Sequence, residues 1–501
     1  MSSPRRRTSL LGALLTATAT LLAPQPAQAL EEVLIQLPLL DTTFTLRVSE
    51  LRNPEDLRRG NSDLADLDRA TDGAVARRLR TVLEEPLPLS LTKVADESVG
   101  SPLLEQAMLV LSSFGTVDGL APDLSGEVLR QTLNNAAREG RPTVLDLIEA
   151  IPGKRVTLDL GRAQSMAVRM AQQRRQSERL LASLPAATAA TLMAGQSVSE
   201  RSLELAVPHR PQPLHLQLLE PSQGGKGRLV LISHGLWDSP ASFMGWGRLL
   251  ASQGYAVVLP RHPGSDNSQQ RAVLAGTAPP PDARELALRP LDLQAVINGL
   301  DLLGLSPTPD PRRVVVIGHS WGATTALQLA GVRPSDTDLR RRCNDLNDPE
   351  RNLSWTLQCS WIQGALQAGI TDPRVIAVAA VSPPVSLLFP RGSGTDLQAR
   401  VLLVSGSRDW VVPPDPEAVM PMQLAHQKGN QLVLAEGGDH FNLRPGAAAD
   451  GGVLGALLLA WTEAAFQAGA GVRPAPGAAP LLRPGAWGNS AMPLVDATPG
   501  L

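Results

Sequence analysis

Val314-Val315-Val316-Ile317-Gly318-His319-Ser320-Trp321-Gly322-Ala323 is the stretch that decides the fold. Four consecutive β-branched residues without polar alternation read as a strand buried on both faces. Gly-x-Ser-x-Gly follows at once, and from 323 to 330 the pattern turns helical. A strand that reverses into a helix so abruptly puts its central serine in a strained backbone, and the flanking glycines keep side chains out of the way. The helix N-terminus beneath the serine favours negative charge developing above it. The pentapeptide alone is weak evidence. With a strand before it and a helix after it, it reads as a nucleophile turn and makes Ser320 the candidate nucleophile.

Outward from this stretch the same grammar repeats. Short apolar runs lie at 229–233, 256–259, 313–317, 375–381, 400–404 and 431–435, with helical patterns at 241–252, 291–303 and 323–330 between them. This alternation predicts an α/β domain over 200–468, a mostly parallel sheet with helices on both faces. Two connections are long, 261–290 and 332–374. Long insertions in a compact α/β domain usually serve as lids or binding loops. The second carries Leu353, Trp355, Leu357, Trp361 and Ile362 in an otherwise Arg- and Asp-rich segment. It reads either as a cap over the site, its tryptophans touching the substrate, or as a surface packed against helices from the N-terminal part.

A serine hydroxyl needs a base, and the base needs an orienting acid. His440 stands after the last strand in Gly437-Gly438-Asp439-His440-Phe441, and Asp409 stands just past the strand at 400–404. The order Ser320, Asp409, His440 suits partners carried on loops after successive strands. Asp415 in the same loop is a rival acid, whereas Asp439 adjoins the histidine and is badly placed to support its ring. His234, His262, His319 and His426 have structural readings as turn, supporting or surface residues. Acyl transfer also needs donors for an oxyanion. The backbone N–H of Leu236, in Ser233-His234-Gly235-Leu236-Trp237, and that of Trp321 are the candidates. Such chemistry requires no metal or organic cofactor.

The flanks are less specific. Arg5 to Arg7, the apolar run 10–22 and Ala27-Gln28-Ala29 compose an export leader over 1–29, predicting a periplasmic or extracellular protein. Cleavage there would remove three arginines and no acid, making the remainder more acidic than the formal charge of -2. No basic footprint for nucleic acid is visible. No later apolar run suffices for a transmembrane helix, the nearest being 453–461. Residues 30–160 predict a mostly helical N-terminal domain, with a hairpin at 33–49 and helices at 64–83, 102–113, 125–138 and 143–150. Residues 161–199 predict a helical connector, and the Pro-, Gly- and Ala-rich stretch 469–501 a disordered tail. Cys343 and Cys359, the only cysteines, predict one disulfide in an exported chain.

On Ser-His-Gly-Leu at 233–236, Gly-His-Ser-Trp-Gly at 318–322, Asp409 and His440, residues 200–468 resemble the α/β-hydrolases. Within them the similarity is to the branch of platelet-activating-factor acetylhydrolases and cutinase-like esterases. Residues 30–160 look like a bacterial domain of unknown function joined to such hydrolases. The resemblance implies a serine carboxylic-ester hydrolase acting on lipid-like esters, as a lipase or esterase in lipid degradation. One departure stands out. In the acetylhydrolases the acid follows the strand after the nucleophile helix, and here that place reads Ser382-Pro383-Pro384-Val385. The alternatives are a cutinase-like or general short-chain esterase and, from another class, a catalytically silent hydrolase fold serving as a binding or scaffold protein.

Overall fold

The computed structural model describes residues 30–38, 42–88, 90–390, 392–446 and 450–501, so the leader read over 1–29 lies outside the described residues. At the N-terminal end, β1 (Glu32–Leu37) and β2 (Thr42–Arg47) form the hairpin that their Val-, Ile- and Thr-rich runs predict, with Glu32 opposite Arg47. The hairpin belongs to a four-stranded sheet of order β2-β1-β4-β3, completed by β3 (Gly115–Val117) and β4 (Arg155–Asp159). Around it lie α1 (Pro54–Arg59), α2 (Asp63–Ala70), α3 (Ala74–Leu83), α4 (Ser90–Ser98), α5 (Pro102–Ser112), α6 (Glu127–Ala136) and α7 (Val144–Glu149). The single helix expected over 64–83 is two. Asp72 and Gly73 take φ of 51° and 74°, left-handed values that no α-helix continues through. Starts are written in the sequence. Asn53 caps α1, Ser62 caps α2, and Thr143 with Asp146 makes a capping box for α7.

The segment read as a connector holds α8 (Leu160–Gln172), α9 (Arg175–Ser183) and then the short β5 (Thr188–Ala189). Both helices brace the segment 345–351 and the loop after Asp409. Gln173 Nε2 donates to the carbonyls of Pro349 and Arg351, and the Gln176 and Ser177 N–H groups donate to Asp415 at 2.7 Å each.

The C-terminal part is a nine-stranded sheet. Its strands are β6 (Val198–Leu205), β7 (Leu214–Pro221), β8 (Leu229–Ser233), β9 (Ala256–Pro260), β10 (Val314–His319), β11 (Val375–Val381), β12 (Arg400–Gly406), β13 (Gln431–Ala435) and β15 (Leu494–Asp496). A short β14 (Ala486–Gly488) pairs with β5 instead. The order is β15-β13-β12-β11-β10-β8-β9-β7-β6, parallel from β9 through β13 and antiparallel at both margins. All six runs read as strands are strands. The connections carry α10 (Met244–Ser252), α11 (Asn267–Leu274), α12 (Glu285–Asn298), α13 (Trp321–Leu329), α14 (Asp336–Cys343), α15 (Ser354–Ser360), α16 (Met420–Ala425) and α17 (Gly455–Gln467). Successive strand residues point to opposite faces. Val314 and Val316 therefore pack with Leu293, Val296 and Ala326 of α12 and α13, and Val315 and Ile317 with Trp246, Leu457 and Trp461 of α10 and α17. Both faces are dry, which is why the run lacks alternation. Among the described residues no helix is long and apolar enough to cross a membrane.

The expectation of a disordered tail does not hold for 469–501. β15 pairs antiparallel with β13, Val433 opposite Asp496, and Trp487, Leu494 and Val495 are buried. The buried guanidinium of Arg400 donates to the carbonyls of Gly429 and Ala479, tying the tail to β12. A Pro- and Gly-rich chain shows no periodicity, yet in extended form it can satisfy a sheet edge that would otherwise stay open.

Cys343 at the end of α14 and Cys359 in α15 are joined by a disulfide, both buried in the core. With a sequence separation of 16, the bridge should contribute about 3 kcal/mol by restricting the unfolded chain. Cys343→Ser with Cys359→Ser is expected to lower the denaturation midpoint accordingly, measured by urea titration without reductant. An unchanged midpoint would mean that the cross-link adds nothing to stability.

Candidate active site

Ser320 lies between β10 and α13 at φ 54°, ψ −124°, outside the regions that L-residues favour. The glycines around it are required by space. A Cβ on Gly318 would stand 2.2 Å from the carbonyl oxygen of Gly322, and one on Gly322 would stand 2.1 Å from that of Ser233. The Ser320 N–H donates to Val381 O at 2.9 Å, fastening the turn to β11. Among the described residues and apart from Asp72, the non-glycine residues with positive φ are Trp237 at 56°, Ser320 and Ser382 at 48°, each past the C-terminal end of a central strand. Strain gathered at one edge of a sheet is the mark of a built site.

His440 and Asp409 come together as their chain order predicts. His440 Nδ1 lies 2.9 Å from Asp409 Oδ2, and the other carboxylate oxygen accepts the N–H groups of Val411 and Val412 at 3.0 and 2.7 Å. Asp409 is fully buried, while Ser320 and His440 remain 8% and 6% exposed. His319 Nε2 reaches His440 O at 2.9 Å and holds the loop that carries the imidazole. The rival Asp415 is taken up by α9 and points away from this arrangement. Asp409, the candidate acid, thus follows β12, and the segment after β11 is organised differently. There the buried Glu417 accepts from the Val385 and Ser386 N–H groups and from Asn352, Ser354 and Gln358, locking α15 to the strand end.

Leu236 and Trp321 flank the serine. A Cβ on Gly235 would lie 3.2 Å from Ser320 Cβ, so the 234–236 loop passes directly beside the nucleophile position. Trp321 opens α13, where an N–H has no acceptor within the helix.

Behind that loop is a second Ser-His-Asp alignment that sequence reasoning missed. Ser233 Oγ lies 2.9 Å from His262 Nε2, and His262 Nδ1 lies 2.8 Å from Asp292 Oδ2. Arg210 forks onto Asp292 and also reaches Glu285, and His209 adds a further contact to Asp292. All of Ser233, His262 and Asp292 are sealed from solvent, so the alignment braces the fold and meets no substrate. The His262 N–H donates to His234 Nε2, His234 Nδ1 donates to Gly235 O, and Arg289, stacked 4.8 Å over Trp321, donates to His234 O. The network therefore sets the path of the 234–236 loop. One signal was available. Glu285, Arg289 and Asp292 fall at i, i+4 and i+7 on one face of an otherwise apolar helix.

Burial, with Arg289 nearby, pushes His262 down to about 4, and burial likewise holds His234 and His319 well below the ordinary histidine range. Burial raises Glu285, whereas for Asp292 the bonds from His209, His262 and Arg210 outweigh burial and hold it below the usual carboxylate range. The three imidazoles are neutral in the fold, but in an unfolded chain they take up protons near pH ~6.5. The stability they confer is complete above that pH and is lost as the pH falls toward 4. Melting temperatures from pH 7.5 down to 4.5 should decline through this window, and a flat profile would contradict the buried neutral state.

Ser320, His319 and His440 open into a cavity of about 780 Å³. Its walls come from four places: α4 and α5, the 261–290 insertion, the 332–374 insertion, and loops after the strands. Leu274 and Phe441 line it and are 60% and 50% exposed, so its mouth has an apolar rim. Both readings of 332–374 hold in part. α15 packs against α5, and Leu353, Thr356 and Leu357 line the cavity. The tryptophans do not. Trp355 is buried between Arg342 and Arg351, and Trp361 packs at a tilt against Trp321 in the core. A large indole gains most from full burial, and smaller aliphatic groups were left to face the cavity.

Residues 228–338 match a family described as alpha/beta hydrolase fold, and residues 29–159 match one described as Alpha/beta hydrolase of unknown function (DUF1400). No curated protein matches the chain. The fold is that of the α/β-hydrolases, as the sheet and the serine turn had indicated, and the match supports hydrolase chemistry.

Proposed function

We propose that the protein is an exported serine hydrolase of carboxylic esters, with Ser320 as nucleophile, His440 as base and Asp409 as orienting acid. The observation that carries the reading is the 2.9 Å contact of His440 Nδ1 with a fully buried Asp409, whose other oxygen is occupied by two backbone N–H groups. An acid so fixed keeps the imidazole proton on Nδ1 and leaves Nε2 free to accept the Ser320 proton. Ser320 Oγ attacks the ester carbonyl while His440 takes its proton. The oxyanion is held by the N–H groups of Leu236 and Trp321. The C–O bond to the alcohol then breaks, with His440 returning the proton to the leaving oxygen. Water, deprotonated by His440, attacks the acyl carbonyl, the bond to Ser320 Oγ breaks, and His440 returns the proton to Oγ as the carboxylic acid leaves.

The apolar lining favours lipid-like esters. The position of the acid after β12 favours a general or cutinase-like esterase over acetylhydrolase specificity. The leader features at 1–29 and the Cys343–Cys359 bridge support export to the periplasm or beyond. The test is fluorophosphonate labelling of the full chain, with a panel of p-nitrophenyl esters of graded acyl length and an acetylated phospholipid. Labelling on Ser320 with turnover of at least one ester is expected. Neither labelling nor turnover would leave the silent scaffold as the better reading.

A further inference from the structure

We propose that α4 and α5, from the N-terminal part of the chain, form the acyl-side wall of the catalytic cavity, and that they select esters with a long, uncharged, apolar acyl group. This rests on the hydrolase reading above. Three observations carry it.

The first is placement. Val94 and Ser98 of α4 and Leu103, Leu104 and Ala107 of α5 line the same cavity as Ser320 and His440. The cavity lies on the catalytic sheet, but one of its sides is built from residues far upstream of that sheet. The fit is close. α4 lies against α11, where Gly276 approaches so near that a Cβ would stand 2.5 Å from the Lys93 carbonyl carbon, and α5 lies against α15. The two insertions also touch each other, since a Cβ on Gly364 would stand 2.2 Å from Ala283 O. The helices therefore close a box whose other walls are the insertions and whose floor is the serine turn.

The second is the character of α5. Its sequence, PLLEQAMLVLS, is apolar around most of its circumference, yet none of its residues is buried. A helix so apolar belongs in a core. Here Leu103, Leu104 and Ala107 face a cavity of about 780 Å³, large enough for a sizeable ligand. The surface it leaves uncovered is what an apolar acyl chain would cover.

The third is charge. The carboxylate and guanidinium groups on the cavity wall are those of Asp238 and Arg444, and they pair with each other at 3.0 Å. Among the described residues no unpaired charge is offered to an acidic or basic acyl group, so an uncharged chain is the occupant that loses least on entry.

The test compares kcat/KM for p-nitrophenyl octanoate and acetate in the full chain. Ala107→Trp fills the wall and should lower the octanoate-to-acetate ratio by about tenfold or more, the scale of lost contacts for a few methylenes. Leu104→Ala enlarges the cavity and should move the optimum toward longer esters, which keeps the proposal testable if the tryptophan variant does not fold. Leu111→Trp, on the side of α5 that is 59% exposed, should leave the ratio at its wild-type value. Wild-type ratios and optima in both cavity variants, with Ser320 still labelled by fluorophosphonate, would overturn the wall and leave the hydrolase reading intact. Absence of both labelling and turnover in the wild-type chain would overturn both.

Discussion

Ser320→Ala is expected to lower turnover of any ester the protein cleaves by about 10⁶-fold and to abolish fluorophosphonate labelling. The loss should be nearly complete because Ser320 is the hydroxyl that sits in the strained turn beside His440, itself supported by Asp409. Ser354, which also lines the cavity, is engaged with Asn352 and Glu417. Ser233 has an imidazole and a carboxylate in line but no access to solvent. Stability should change little. Alanine is held at the same positive φ and bears the same strain, and only a hydroxyl is removed. Turnover within about tenfold of wild type, the scale of a lost accessory contact, would remove Ser320 from the reaction.

Asp409→Asn is expected to cost about 10⁴-fold in kcat without unfolding the protein. The amide oxygen can still accept the Val411 and Val412 N–H groups, so the loop keeps its shape. The amide nitrogen would then face His440 Nδ1 and donate to it. The ring must carry its proton on Nε2 instead, where a base lone pair is needed. Asp415→Asn makes the contrast. It weakens the grip on the first turn of α9 and should lower the melting temperature while leaving kcat near wild type. Steady-state kinetics of the two variants side by side decides between the acids, and the reverse pattern would transfer the role to Asp415.

The sheet interior, the serine turn and the meeting of Asp409 with His440 were legible because each follows from a local rule or from chain order. A run such as Val314 to Ile317 is buried on both faces and shows no alternation, and a Gly-x-Ser-x-Gly turn can be recognised from its own flanks. What was illegible depends on distant partners. β6 reads VSERSLEL, polar at most positions, and is a strand because β7 lies beside it. β15 lies in a stretch whose composition suggests disorder and is ordered by the open edge of β13. The tryptophans at 355 and 361 were expected to touch the substrate or the N-terminal helices and instead turn into the core, because which way an indole turns is settled by packing and not by sequence. The network around Asp292 joins residues from β8, the loop after β9 and α12, and only the spacing of Glu285, Arg289 and Asp292 hinted at it.

The antiparallel closure of the sheet by β15 also bears on how the protein is made. A nascent polypeptide presents the nucleophile turn, then the acid, then the base, and the strand that seals β13 only later. A transcript with a stop codon between His440 and Leu494 would encode every residue of the proposed relay and still yield a protein with a bare row of N–H and C=O groups along β13. Such a product should be recovered from inclusion bodies, since an uncovered strand edge is a template on which a second copy can pair. Loss of the tail should therefore cost the fold as much as loss of the relay costs the chemistry, for the ordered closure reaches to Leu501, whose side chain packs on the core.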